Sequence, residues 1–331
     1  MNLLTQRLLN DYQRGFPLCP HPFDRLANDL QTTPDDVIDQ FRTLQDRGVV
    51  SRIGPVFRPN TVGASTLAAM AVPPEKLVEV AEQVNAFPQV NHNYEREHSF
   101  NLWFVVTAAS EAEVKATLDD IRQATGIEVM PLPLLRDYHI DLGFRMTLND
   151  SEDVTELPGR NSPVQSNLSA SSYDIDSDDL IAAIQHGLPL VARPYQVIAE
   201  RMGCSEEALI QRLQSLIDAR IIKRLGVVVR HHELGYRANA MVVWDVPDHQ
   251  VDAIGQRLGD QDCVTLCYQR PRHRPQWPYN LFCMVHGKDR DAVLACIRQF
   301  ALELGIHHLP REVLFSGRRF RQRGAWYRMP N

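Results

Sequence analysis

The sequence predicts an α+β protein made by tandem duplication, each half a winged helix-turn-helix followed by a ferredoxin-like βαββαβ domain. Three observations predict it. Gln13, Gly15, Pro17, Pro22, Ala27, Leu44, Arg52, Gly54, Val56 and Gly63 recur at a constant offset as Gln185, Gly187, Pro189, Pro194, Ala199, Leu216, Arg224, Gly226, Val228 and Gly235. The register then slips, and Val90, Tyr94, Arg96, Asn101 and Leu102 are matched by Val264, Tyr268, Arg270, Asn280 and Leu281. In each half the apolar period changes from helical to strand-like after Gly63 or Gly235, so one supersecondary plan is written twice.

The elements follow in order. Residues 1–60 and 178–232 form the winged domains, each with a short opening helix and a second helix starting at Pro22 or Pro194. The third helix carries Val37, Ile38, Phe41 and Leu44 in copy one and Leu209, Ile210, Leu213 and Leu216 in copy two, an apolar stripe at helical spacing. The β-rich runs 49–57 and 221–229, with Arg-Ile-Gly and Arg-Leu-Gly, read as a two-stranded wing in each half. Residues 61–148 and 233–331 alternate strand, helix, two strands, helix and strand, the last strands at 127–135 and 306–315. Helices cover one sheet face only, so the other copy or a second chain must cover the opposite face. Residues 149–177, rich in Ser, Asn, Asp and Pro, read as a flexible linker.

Composition narrows the function. A formal charge of -6 argues against a non-specific grip on nucleic acid, which needs clustered basic charge. The third helices place Asp35, Asp36, Asp39 and Asp46 beside Arg42, and Glu206, Glu207 and Asp218 beside Arg212. In a major groove those carboxylates would meet phosphates, so the winged domains are expected to be packing modules that bind no DNA. No apolar run reaches membrane-spanning length and the start has no signal pattern, which predicts a cytoplasmic protein with no membrane partner. The six cysteines form no CxxC pair and are expected to be reduced thiols. Cys19-Pro20-His21 is expected to be a turn before a helix, and His231-His232 and His307-His308, read as strand pairs, would alternate faces and bind no common metal.

Four long motifs stand out. They are Tyr94-Glu95-Arg96-Glu97-His98-Ser99-Phe100-Asn101-Leu102-Trp103-Phe104, Tyr138-His139-Ile140-Asp141-Leu142-Gly143-Phe144, the stretch Trp277 to Gly287, and the stretch Phe315 to Gly324. The domain plan and the Arg-x-Gly wing resemble the Lrp/AsnC transcriptional regulators, and the motifs resemble the siroheme decarboxylases. Among these the likeness is to a fused two-subunit form from the pathway to d-type haem, with the siroheme route to haem b as the parallel reading. The resemblance implies removal of carboxyl groups from two acetate side chains of siroheme to leave methyls. It implies no cofactor beyond the substrate's iron, a homodimer of the fused chain, and homologous decarboxylase subunits as further partners.

That chemistry selects residues. A polycarboxylate needs cations, and Arg binds carboxylates through two parallel hydrogen bonds. The candidates are Arg96 and Arg270 at matching positions, then Arg272, Arg318, Arg319 and Arg321. Tyr94, Trp103, Tyr268 and Trp277 are candidate macrocycle contacts, with Asn101 and His273 as further substrate-binding positions. Loss of carbon dioxide leaves an electron pair on the exocyclic carbon that must be quenched by a proton, and His supplies one near neutrality. His98 and His139 are therefore the catalytic candidates, both placed on edges of copy one's sheet. His92 and His286 are weaker, and no protein-bound metal is expected, although an axial His to the substrate iron stays open as an alternative role. A regulator with a small effector and a haem-binding sensor or carrier remain the competing readings.

Overall fold

The computed structural model describes residues 2–59, 61–140, 177–229, 238–287 and 289–327. They fall into two compact units, one drawn from Met1–Arg58 and Gly143–Val229, the other from Pro59–Leu142 and Arg230–Asn331. Like domains are thus grouped with like. The expected linker lies outside the described residues except for Ser177, which opens a helix, as do His231, His232, Gly143 and Phe144.

The first unit contains α1 (Leu3–Asp11), α2 (Pro22–Leu30), α3 (Pro34–Asp46) and β1 (Val50–Phe57), then α6 (Ser177–Ile184), α7 (Pro194–Met202), α8 (Glu206–Asp218) and β7 (Ile222–Val229). Proline at the first turn starts α2, α3 and α7, and Thr33 and Ser205 cap α3 and α8 by accepting the backbone N–H groups of Asp36 and Ala208. The expectation of a two-stranded wing in each half is corrected, because β1 pairs antiparallel with β7 and the copies share one ribbon. The repeated glycines explain the exchange. A Cβ on Gly54 would come within 2.8 Å of Gly187 Cα, and one on Gly226 would overlap the Gln13 carbonyl. Each Gln-x-Gly turn docks on the other copy's strand, with Phe16 N donating to Leu225 O (3.1 Å) and Leu188 N to Ile53 O (2.7 Å). On α3, Arg42 spends its guanidinium on Asp39 and the Leu190 carbonyl, while Asp35, Asp36 and Asp39 face solvent.

The second unit carries β2 (Ala64–Met70), α4 (Leu77–Ala86), β3 (Val90–Arg96), β4 (Leu102–Ala108), α5 (Glu111–Thr125), β5 (Met130–Pro133) and β6 (Arg136–Ile140) from copy one. Copy two supplies β8 (Ala238–Trp244), α9 (Val251–Gly259), β9 (Val264–Gln269), β10 (Leu281–Gly287), α10 (Arg290–Glu303) and β11 (Arg311–Gln322). Among the described residues the strand order is β5-β2-β4-β3-β11-β8-β10-β9-β6. The last strand expected at 127–135 is instead broken into β5 and β6, and the one expected at 306–315 begins later and runs on to Gln322. Both are long because each starts in its own sheet and ends on the other. The first part of β11 pairs with β8 and its second part with β3, while β5 pairs with β2 and β6 with β9.

Three apolar layers result. Copy one's helices cover Leu102, Phe104 and Val106, and copy two's cover Val242, Trp244, Cys283 and Val285. The intervening strand positions, Ala69, Trp103 and Leu132 from copy one with Met241, Val243, Phe282, Met284 and Leu314 from copy two, bury one another in a shared core. Strands covered on both faces explain the near-continuous apolar runs. The copy itself therefore covers the face that the sequence left bare. Two further expectations are corrected: Cys263 and Cys296 are joined by a disulfide, being carried to adjoining positions by the turn before β9 and by α10, and His307 and His308 lie in a turn and not on a strand. Cys19 sits in the bend before α2, and among the described residues no group of His, Cys, Asp and Glu is arranged to hold a metal and no helix is long and apolar enough to cross a membrane.

Candidate active site

Strand exchange decides which residues meet. Register makes Leu132 equivalent to Leu314, Asp137 to Arg319, Tyr138 to Phe320 and His139 to Arg321, since Asp137 and Arg319 oppose Tyr268 and Tyr94, and His139 and Arg321 oppose Cys267 and Asn93. His139 thus sits on β6 at the edge of copy two's sheet, not copy one's, while His98 occupies the turn between β3 and β4. The expectation that both histidines edge one sheet is overturned by the interruption of the strand at Leu134-Leu135, which carries β6 across.

Arg96 and Arg270 are a pseudo-symmetric pair. Arg96 donates to Leu314 O (3.0 Å) and Ser316 Oγ (3.2 Å), and Arg270 donates to Leu132 O, the equivalent carbonyl of the other copy. Burial pushes the Arg96 guanidinium down to about 10 and lowers Arg270, and in each the Nε is buried without a hydrogen-bond partner. They clamp the exchanged strands from inside. Asn101 is also scaffold: its amide accepts from Val72 N (2.9 Å) and donates to Val72 O (2.8 Å), as Asn280 does with Val246 (2.9 and 3.0 Å). Arg272 binds Asp245, Asp248 and two loop carbonyls. It lines a surface hollow of about 530 Å³ whose Asp245 and Asp248 would oppose a polycarboxylate.

The aromatic candidates converge around Trp277, which is fully buried. Its ring lies 5.2 Å from Trp103, 5.0 Å from Tyr279, 5.9 Å from Phe100 and 5.5 Å from His98. Trp103, 2% exposed, donates Nε1 to Phe100 O (2.6 Å). Both tryptophans are therefore wall and not open contact surface, a correction that follows from burial on both sheet faces. Tyr268 stacks on Phe282 and takes the Arg270 guanidinium over its ring at 4.5 Å. Tyr94 stacks beside His92.

His98 is half-buried, parallel to Phe100 and edge-on to Trp277. Its Nδ1 accepts the Phe100 backbone N–H (3.0 Å), which leaves the ring proton to Nε2. Burial lowers its pKa from the ordinary 6.5, opposed by the charge of Glu312. Glu312 and Tyr279 come from copy two, and Tyr279 hydrogen-bonds Glu312. Sequence reasoning missed Glu312, because its equivalent in copy one is Met130 and only strand exchange brings it to His98. His273, in the longer copy-two loop 271–279 that replaces 97–100, turns Nε2 to Pro131 O (2.6 Å).

The basic strand end is laid against copy one's β3. Arg318 pairs with Glu95 (2.7 Å), Arg319 donates to Gln322 (3.2 Å), Arg321 donates to the carbonyls of Phe87 and Val90, and Arg323 lies over Trp326. Copy one's sheet therefore gains four arginines, whereas β6 brings Arg136, Asp137 and His139 to copy two's.

Comparison with known proteins settles the lineage. The siroheme decarboxylase NirDL-like HTH domain matches residues 5–50 and 177–223, and the AsnC-like ligand binding domain matches 62–139 and 233–321. A siroheme decarboxylase NirDL subunit of Paracoccus denitrificans is 41% identical over 98% of this chain and 97% of its own. The chain belongs to the siroheme decarboxylase NirDL family. A crystal structure of a siroheme decarboxylase NirDL in co-complex with an iron-uroporphyrin III analogue superposes with a TM-score of 0.66 at 27% identity, covering 98% of this chain and 93% of that one. The NirDL layout of two copies in one chain has a split counterpart: a siroheme decarboxylase NirL subunit of Stutzerimonas stutzeri is 47% identical over 47% of this chain and 92% of its own.

Proposed function

We propose that this chain decarboxylates siroheme, converting two acetate side chains to methyls on the route to d-type haem, with His98 as proton donor. Membership of the NirDL family supports the reaction, and the observation that supports the residue assignment is the half-buried His98 ring, whose neutral form accepts the Phe100 N–H at Nδ1 and whose imidazolium, with that contact released, carries the transferable proton. In each round the bond between the acetate methylene and its carboxylate breaks, carbon dioxide leaves, and the electron pair spreads into the macrocycle. His98 then protonates the exocyclic carbon and is recharged from water. The apolar wall of Phe100 and Trp277 favours loss of a carboxylate that has been stripped of water.

Arg318, Arg319 and Arg321 on β11 are the cations that hold the remaining carboxylates, with Tyr94 beside them; Arg96 holds the strand that presents them. Iron enters as part of the substrate, and the chain uses no cofactor of its own. The working assembly is a cytoplasmic homodimer of the fused chain, and homologous subunits are further partners. Anaerobic incubation with siroheme, followed by mass spectrometry of the extracted tetrapyrrole, tests the reaction: two losses of carbon dioxide are expected. Unchanged siroheme that stays bound would instead mark a carrier, and no binding at all a regulator.

A further inference from the structure

We infer that Glu97 of copy one and Arg290 of copy two are a positioning pair for His98, an ion pair closed between the copies that sets the turn from which the proton is delivered. Arg290 grips both oxygens of Glu97 (2.6 and 2.7 Å) and lies flat over the Phe315 ring at 4.0 Å. The carbonyl of Phe315 accepts the Glu97 backbone N–H (3.1 Å), and the next residue is His98, whose own N–H returns to Arg96 O (2.9 Å). Two groups of copy two, the Arg290 guanidinium and the Phe315 carbonyl, thus hold one residue at the base of the turn. Arg290 is the first residue of α10, whose start is fixed by Asp289 accepting from Ala292 N (2.8 Å), so the grip comes from a rigid element.

The pair has no counterpart in the other copy, where α5 begins with Glu111 in place of Arg290 and Pro271 follows Arg270 in place of Glu97. A fork-to-fork geometry that appears on one side alone, beside the histidine turn, is fitted to that turn and not to the shared scaffold. Both side chains are more than half exposed, so the pair contributes little to global stability and its effect is local. It also disposes of a charge. Arg290 holds the Glu97 carboxyl below the usual range and engages both its oxygens; released, that carboxylate would join Glu312 beside His98, while Arg96 beneath the turn and Tyr279 from the copy-two loop stay in place.

The inference rests on His98 being the proton donor, and the test separates the two. Full-length protein is assayed with siroheme for kcat, KM, the pH dependence of kcat/KM and Tm, in Arg290→Gln, Glu97→Gln, the charge-exchanged double variant Glu97→Arg with Arg290→Glu, and His98→Gln. Arg290→Gln and Glu97→Gln are each expected to lower kcat about tenfold, as a misplaced donor does, with KM and Tm nearly unchanged. Arg290→Gln alone is expected to move the alkaline limb of kcat/KM to higher pH, because a freed Glu97 favours the imidazolium, and the exchanged pair is expected to recover most of the rate. A loss seen in Tm alone, an unmoved limb, or no recovery would overturn the inference while leaving the donor assignment intact if His98→Gln is inactive. Full turnover by His98→Gln would overturn both.

Discussion

The two βαββαβ copies keep the same backbone devices and differ in what they present. Asn101 and Asn280 clamp equivalent valines, Arg96 and Arg270 clamp equivalent leucine carbonyls, and Ser110 and Asp289 cap equivalent helices. Between Arg96 and Asn101, however, copy one has a short turn with His98, while copy two has a long loop that sends Trp277 into the shared core and ties His273 to a carbonyl. Duplication has left one half with the His98 turn and the other with the Trp277 wall behind it. In these pairs the matching positions serve the scaffold, and the loops between them are where the copies differ.

The comparison is broken most directly at the histidines. His98→Gln is expected to lower kcat by about 10²- to 10⁴-fold with siroheme binding retained, whereas His273→Gln should change it less than about threefold; steady-state rates and optical titration measure both. Trp277→Ala should cost about 3–5 kcal/mol in urea unfolding, since it empties the centre of the shared core. Asn101→Ala and Asn280→Ala should each cost about 1–3 kcal/mol, because each strands a backbone N–H and C=O, and near-equal values would confirm a symmetric scaffold. Unequal values would mean that one clamp also serves the site.

A pH series sharpens the same contrast. With the imidazolium as the proposed donor, its Nδ1 proton displacing the Phe100 N–H contact of the neutral ring, and with burial lowering its pKa, kcat/KM should fall as pH rises through a midpoint below 6.5, a limb absent from His98→Gln. Stability moves the other way: the unfolded chain binds the proton more tightly, so the folded state loses stability as pH falls from about 6.5 toward the depressed value. Chemical unfolding at several pH values should show this loss in the parent and not in His98→Gln. The smallest expected effect is at the caps, where Ser110→Ala and Asp289→Ala should each cost about 1 kcal/mol in thermal unfolding.

Much of this was legible in residue order. Repeated glycines, prolines and apolar stripes mark the helices and strands because local sterics and periodicity act over a few residues. The acidic third helices and the cluster Arg318 to Arg323 could be read as charge alone. What could not be read was partnership between copies. That β1 pairs with β7, that β6 leaves its own sheet, and that Glu312 and Arg290 reach the His98 turn all depend on long-range packing with no local signature. Burial also reassigned roles: Trp103, Trp277 and Asn101 stand in the long motifs for structural reasons, and Cys263 and Cys296 are bonded because the fold of copy two brings them side by side.

The crossing of β6 and the end of β11 bears on how such proteins are inherited. A lone half would leave the edge of β3 or β9 without its fifth strand, so it must find a mate, and two identical halves would set Asp137-type edges or arginine-rich edges on both sides of the pair. Joining unlike halves in one polypeptide removes that choice: every molecule is born with one edge of each kind, in a ratio that no shift in expression can alter.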